Sequence, residues 1–282
     1  MYIMAKYLDP KADLTFKRVF GEHKELLISF LNAMLPLPEG KEIVEIEYLP
    51  TELVPETPLL KKNSIVDVRC KDNGDRYFIV EMQMEWQPSF KQRMLFNASK
   101  VYVRQLDKSE AYDALQPVYA LSLINDVYEK GDDYYHHYKI VEEEHTERVL
   151  EGLEMIFIEL PKFTPSSYTG KKMQVLWLRF LTEIGEKTRQ VDEEMLETPE
   201  IKTALGVLEE STYTEAQLAG YEKFWDAVRV EKTILSEGQK KGVKEGEKKG
   251  IISVARNLKG MGLPLSQISQ ATGLSESEIE NL

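Results

Sequence analysis

Ser64-Ile-Val-Asp67-Val-Arg-Cys70, Lys71-Asp-Asn-Gly-Asp75 and Arg76-Tyr-Phe-Ile-Val-Glu81-Met-Gln-Met84 decide how this chain is read. Two apolar runs flank an Asn73-Gly74 turn, the signature of a β-hairpin. Each run carries one acid where a strand is usually apolar, Asp67 in the first and Glu81 in the second. Gln83 lies two residues past Glu81 and so shares its face. Two carboxylates on neighbouring strands make an oxygen-rich site suited to a hard divalent cation, which can polarise a phosphate and activate water.

Register decides whether the two acids meet. With a strict two-residue Asn-Gly loop, Asp67 pairs with Val80 and Glu81 faces away. A three-residue Asn-Gly-Asp loop, or a bulge on one strand, puts Asp67 opposite Glu81. On the second strand Phe78, Val80, Met82 and Met84 form a clean apolar face. Tyr77 and Ile79 share the other face with Glu81 and Gln83, so that face is partly covered as well. A carboxylate there costs several kcal/mol unless it is paired or bound to metal.

Outward from the hairpin, Asp13-Leu-Thr-Phe-Lys-Arg-Val-Phe-Gly21 predicts a helix with Asp13 as N-cap, and a second helix follows to just before Pro36. Ile43–Leu49 reads as an edge strand. A long helix is expected from Pro88 to about Leu106. Val118–Ile124 reads as a buried strand, and Tyr134–Val141 and Leu153–Leu160 as further strands. From about Lys171 to about Leu235 the pattern is helical. The order predicts an α/β protein with a mixed sheet flanked by helices. Four segments are expected: a core over 1–165, a helical extension over 166–235, a tether over 236–250 and a small helical tail over 251–282. In the tether Gly238, Gly242, Gly246 and Gly250 recur every fourth residue among Lys and Glu, which favours a flexible linker or a loose helix. In the tail, Leu265–Thr272 forms one short helix. A second follows Gly273, with Ser275 and Glu278 in capping-box spacing. It is acidic and lacks Arg and Lys, so a capping or interaction element is expected rather than a major-groove reader.

The net charge of −12 argues against a general nucleic-acid-coating protein. The acid is concentrated in residues 131–235, net −10, while residues 1–130 are net −3 and residues 236–282 are net +1. One cysteine, Cys70, excludes an internal disulfide framework. With no signal-peptide or membrane-span pattern, the expectation is a cytoplasmic protein. No Cys/His spacing suits zinc, and no glycine-rich nucleotide-binding loop occurs. Tyr134, Tyr135 and Tyr138 are expected to pack within strands rather than stack on bases.

Asp67 followed by Glu81-Met82-Gln83 and a helix resembles the PD-(D/E)xK nuclease signature. Asp13-x-x-Phe16-Lys17-x-x-Phe20-Gly21 narrows the likeness, as do Gln92-Arg93-Met94, then Tyr102 and Gln105-Leu106, and the glycine-lysine tether. Together they resemble the recombination-promoting nuclease and putative transposase family over most of the chain, most strongly residues 5–126. The resemblance implies a restriction-endonuclease-like core and Mg²⁺- or Mn²⁺-dependent DNA cleavage linked to recombination or mobile DNA. Asp67, Glu81 and the backbone carbonyl of Met82 would hold the metal. Gln83 stands at the signature's lysine position, where glutamine is usual in the transposase-like branch. A neutral amide orients water but supplies no charge. Substitute cations are Arg93 and Lys100, on a helix stripe with Asn97 and Arg104 opposite Phe90, Met94, Ala98 and Val101, and Lys17. Asp13 is a candidate third acid. Cutting both strands would call for two centres, hence a homodimer. The competing reading is a non-catalytic DNA-binding or assembly protein that keeps the fold.

Overall fold

The computed structural model describes residues 6–53, 64–106, 111–165 and 172–282. The boundary expected at residue 166 and the helix start expected at Lys171 lie outside these. The chain divides into two units, Met1–Trp225 and Asp226–Leu282.

The first unit opens with α1 (Asp13–Glu22) and α2 (Lys24–Met34). Strands β1 (Ile46–Tyr48), β4 (Val68–Asp72), β5 (Tyr77–Gln83), β6 (Val118–Ile124), β7 (Tyr135–Glu142) and β8 (His145–Glu159) form one six-stranded sheet in the order β1-β4-β5-β6-β8-β7. The pairs β5–β6 and β6–β8 are parallel and the rest are antiparallel, so the sheet is mixed. Strands β2 (Glu52–Leu53) and β3 (Ser64–Ile65) make a separate two-stranded ribbon. Helix α3 (Phe90–Val103) crosses from β5 to β6, and α4 (Lys172–Glu183), α5 (Glu193–Glu197) and α6 (Pro199–Val207) follow the sheet. This is the restriction-endonuclease-like α/β architecture expected from the sequence.

The sheet is covered on both faces. Phe78, Val80, Leu121, Leu123, Ile156 and Ile158 pack on one side with Phe16, Phe20, Phe30 and Trp177 of the surrounding helices. Ile79, Val118, Ala120, Ile124 and Phe157 pack on the other against Phe90, Met94, Ala98 and Val101 of α3. The alternation along β5 and β6 follows from the two-residue period of a strand. Parallel strands buried on both faces read as continuous apolar runs, which is why Val118–Ile124 was legible to the residue.

Three local expectations are corrected. Asp13 is the first helical residue of α1, not its cap. The cap position is Ala12, and the Asp13 carboxylate instead pairs with Lys17 at 2.6 Å. The edge strand is shorter than Ile43–Leu49 because the Asn32 side chain takes both backbone groups of Ile43, at 2.8 Å each. Strand β8 starts at His145 rather than Leu153. Residues 145–151 are exposed and carry no core-facing period, yet they pair with β7 as a projecting arm.

Helix α7 (Glu215–Gly260) includes residues 236–250. Each glycine there costs about 1 kcal/mol of helix propensity relative to Ala, but the Lys, Glu, Gln and Val between them keep the run helical. In the second unit, α8 (Leu265–Thr272) ends on Gly273 at φ 74°. Helix α9 (Glu276–Glu280) carries the Ser275/Glu278 capping box in full. Ala255, Ile268 and Ile279 are its buried centre. Among the described residues, no helix is long and apolar enough to cross a membrane.

Candidate metal centre

The β4–β5 register places Val68 opposite Val80 and Cys70 opposite Phe78. That is the offset of a three-residue loop, Asn73-Gly74-Asp75, and one further step puts Asp67 opposite Glu81. Asp72 sets the loop length. Its Oδ1 accepts from the N–H groups of Gly74 (3.0 Å) and Arg76 (2.9 Å), and its Oδ2 accepts from Arg76 Nε at 2.8 Å. Asp75 takes the left-handed conformation, φ 56°, which Asp tolerates better than most residues. Asp72 is 4% exposed, so its removal strands a mostly buried guanidinium and two N–H groups. Asp72→Ala should lower stability by about 3 kcal/mol in urea unfolding. A loss under about 0.5 kcal/mol would show that the loop length is set elsewhere.

The ladder stops one step short of the acids. Where Val66 would next bond Met82, the Met82 N–H instead donates to Asp67 Oδ2 at 2.7 Å. This bond holds the Asp67 carboxylate beside β5. Glu81 is 7% exposed and, among the described residues, makes no hydrogen bond or ion pair. Its carboxyl is pushed up to about 8, first by burial and next by the charge of Asp67. Arg93 and Lys17 pull it back, and Asp13 adds to the rise. Asp67 is raised as well, by burial, against the opposing Met82 N–H and Lys17. Burial lowers the Lys17 ammonium, but the hydrogen bond and charge of Asp13 together with the charges of Asp67 and Glu81 outweigh it, so its net direction is up. Asp13, Lys17, Asp67, Glu81 and Arg93 therefore share one electrostatic neighbourhood.

The excess of buried negative charge suits a hard cation. Mg²⁺ is commonly held by one or two carboxylates with waters and substrate oxygens completing the shell, and two acids are what the fold offers. Among the described residues, no cluster of three or more Asp, Glu, His or Cys is arranged to hold a metal. Asp13 is thus near the pair electrostatically without joining it as a third ligand.

An open cleft of about 800 Å³ borders Glu81, with Arg93, Phe96, Asn97, Ser64 and Ile65 among its walls. Arg93 donates from Nη2 to Gln83 Oε1 at 2.5 Å, and its Nε has no partner among the described residues. Gln83 donates from Nε2 to the Glu85 carbonyl at 2.7 Å, so both ends of its amide are engaged. Lys100 is placed elsewhere. Its ammonium bonds the Leu53 carbonyl (3.1 Å) and the Ser64 hydroxyl (3.4 Å) and lies over the Phe96 ring, tying α3 to the β2–β3 ribbon.

The sequence reading misplaced Asn97 and missed Ser122. Asn97 belongs to the buried side of α3, not to its solvated stripe. It lies three residues after Met94 and four before Val101, and it is fully buried with both amide atoms unpartnered among the described residues. Ser122 is the register partner of Glu81 on β6, also fully buried, and its hydroxyl has no partner among the described residues. A single serine inside the apolar Val118–Ile124 run was the available signal. The histidines serve packing: His136 pairs with Glu159 at 2.8 Å and His137 with Glu154 at 2.7 Å. Tyr134 and Tyr135 pack into the first core, and Tyr138 packs edge-on against Phe157.

A family model described as PD-(D/E)XK nuclease family transposase matches residues 10–238. No curated protein and no solved structure shows significant similarity to the chain.

Proposed function

Because the chain belongs to the PD-(D/E)XK nuclease family of transposases, we propose that it is a divalent-metal-dependent DNA endonuclease acting in the cytoplasm in recombination or mobile-DNA processing. One observation carries this reading: a three-residue hairpin loop brings the partly buried Asp67, just before β4, opposite the buried Glu81 of β5, and Glu81 has no protein partner among the described residues. The family generally uses divalent metals, and the acids fit Mg²⁺ or Mn²⁺.

Asp67 and Glu81, with the Met82 carbonyl, would hold the ion. When bound, it supplies Lewis-acid polarisation of a phosphoryl oxygen and an acidified water. The remaining work falls to the chain. Asp67 is fixed for this by the Met82 N–H, which occupies one of its two oxygens. Arg93 is the cation placed beside the acids in the cleft, where its guanidinium would contact the scissile phosphate. Gln83 acts through Arg93, holding it by its amide oxygen. Lys17, steered by Asp13, is the second cation in reach of the acids' field. Lys100, bonded to the ribbon, supports the cleft wall. No nucleotide cofactor is required, and a pair of copies would supply the two centres that a double-strand cut needs.

The reading is tested by incubating the purified chain with supercoiled DNA and Mg²⁺ or Mn²⁺, alongside calorimetric titration of the ion. Nicking and saturable binding are expected. Binding without cleavage would favour the non-catalytic alternative, which draws on the neutral, doubly engaged Gln83. Restoring the signature lysine is not expected to help. In Gln83→Lys a cation replaces the oxygen that holds Arg93, so the two repel. Cleavage should fall about tenfold, or ~1.4 kcal/mol, and a gain in rate would show that Gln83 faces the reacting phosphate instead.

A further inference from the structure

The chain separates its charge. Residues 1–225 carry 27 Lys/Arg against 40 Asp/Glu, whereas residues 226–282 carry 9 against 8. Within that second unit Lys240, Lys241, Lys244, Lys248 and Lys249 cluster on α7, outnumbering Glu237, Glu245 and Glu247 in the same stretch. Lys240, Lys244 and Lys248 follow one another at i, i+4 spacing. Lys241 precedes Lys244 by three residues and Lys248 by seven. The four therefore share one face of the helix, over a rise of about 12 Å. Gly242 and Gly246 lie two residues past Lys240 and Lys244, on the far side.

Spacing within the row weakens the helix at two positions, while Glu237, four residues before Lys241, supports it. Lys244 and Lys248 each have a lysine at i−4, an arrangement that costs about 0.2–0.5 kcal/mol per pair, where a glutamate would have contributed as much. All four side chains are exposed, and no ion pair takes them up among the described residues. Glu278, held below the ordinary carboxylate range mainly by Ser275, feels Lys248 only as the last of its influences. Residues 236–250 contain no aromatic residue and no arginine, the side chains that anchor protein interfaces, where lysine is depleted. A line of unpaired ammonium groups fits a polyanion, and duplex DNA presents one phosphate charge per ~1.7 Å of axis.

We propose that the Lys240–Lys241–Lys244–Lys248 face of α7 binds the phosphate backbone of DNA without regard to sequence, supplying the affinity that the acidic first unit lacks. The partner is taken from the nuclease reading, but the measurement does not depend on cleavage. Full-length wild type and a Lys240→Gln/Lys241→Gln/Lys244→Gln/Lys248→Gln variant are titrated with a fluorescent duplex in EDTA across a salt series, with circular dichroism checking the helix. Each phosphate contact contributes about 0.9 to the slope of log affinity against log salt. The variant should therefore lose roughly 3–4 from the slope and bind about a hundredfold more weakly at low salt. The matching Lys→Arg variant should keep both. Cleavage at saturating DNA should stay within about twofold of wild type. An unchanged slope and affinity overturns the proposal. So does a variant whose only change is in sedimentation, since the face would then meet a second copy of the chain. A wild type that never cleaves but shows the slope difference leaves this proposal standing while the nuclease reading falls.

Discussion

Asp67→Ala and Glu81→Ala are each expected to reduce Mg²⁺-dependent DNA cleavage by about a thousandfold, or ~4 kcal/mol of activation free energy. The two losses should not add, because either change dismantles the same ion site. The double variant should then be no slower than the worse single one. Their structural costs differ, which separates chemistry from folding. Asp67 accepts the Met82 N–H at 2.7 Å, so Asp67→Ala frees a backbone donor at the end of the ladder and should also cost about 1–2 kcal/mol of stability. Glu81 gives up no hydrogen bond or ion pair among the described residues. Glu81→Ala should therefore lose activity with little loss of fold beyond the small cavity it leaves. Asp67→Asn is the cleaner test at the first position. Nicking of supercoiled DNA, with urea unfolding of the same preparations, reads both effects. Equal activity in wild type and Glu81→Ala would remove the acids from the chemistry altogether.

The hairpin shows what a sequence states and what it withholds. Asn73-Gly74 announced a turn, and the alternation in Tyr77–Gln83 announced a strand. Whether Asp67 met Glu81 hung on one residue of loop length. That length is fixed by the Asp72 carboxylate folding back on Gly74 and Arg76, a closure that no periodicity records. The strand pattern singled out both acids but not their neighbours. Arg93 was named from a helical stripe, yet its bond to Gln83 depends on how α3 sits on the sheet. Lys100 lay on the same stripe, one turn beyond Asn97, and went to the Leu53 carbonyl. Asn97 was misplaced because a polar residue at the edge of a buried face reads as solvated until packing is known. The four-residue glycine repeat of α7 weighed against a regular helix, since intrinsic propensity is a weak prior that the intervening residues overrode.

The ionisation of Glu81 couples that site to stability. Its carboxyl rises from 4.5 to about 8 in the folded chain. Between these values the folded protein keeps a proton that the unfolded chain has released. The unfolded state then binds fewer protons, so stability falls as pH rises through the window and levels off above about 8. Glu81→Gln removes the titration while keeping shape and volume. At pH 8.5, without divalent metal, the variant should be more stable than wild type by roughly 4–5 kcal/mol, and the difference should vanish toward pH 4.5. Adding Mg²⁺ should narrow that difference. The ion stabilises only the chain that binds it, by about 2.7 kcal/mol at a hundredfold excess over its dissociation constant, and the variant has lost a ligand. Wild-type affinity for the ion should in turn tighten about tenfold per pH unit up to pH 8, since one proton must leave before the carboxylate can coordinate. Urea unfolding at pH 5 and 8.5, with and without Mg²⁺, measures all four corners. If Glu81→Gln is the less stable protein at pH 8.5 without metal, Glu81 is ionised and already paired in the folded chain. The acids would then be ion-paired to Arg93 and Lys17, with no demand for a metal.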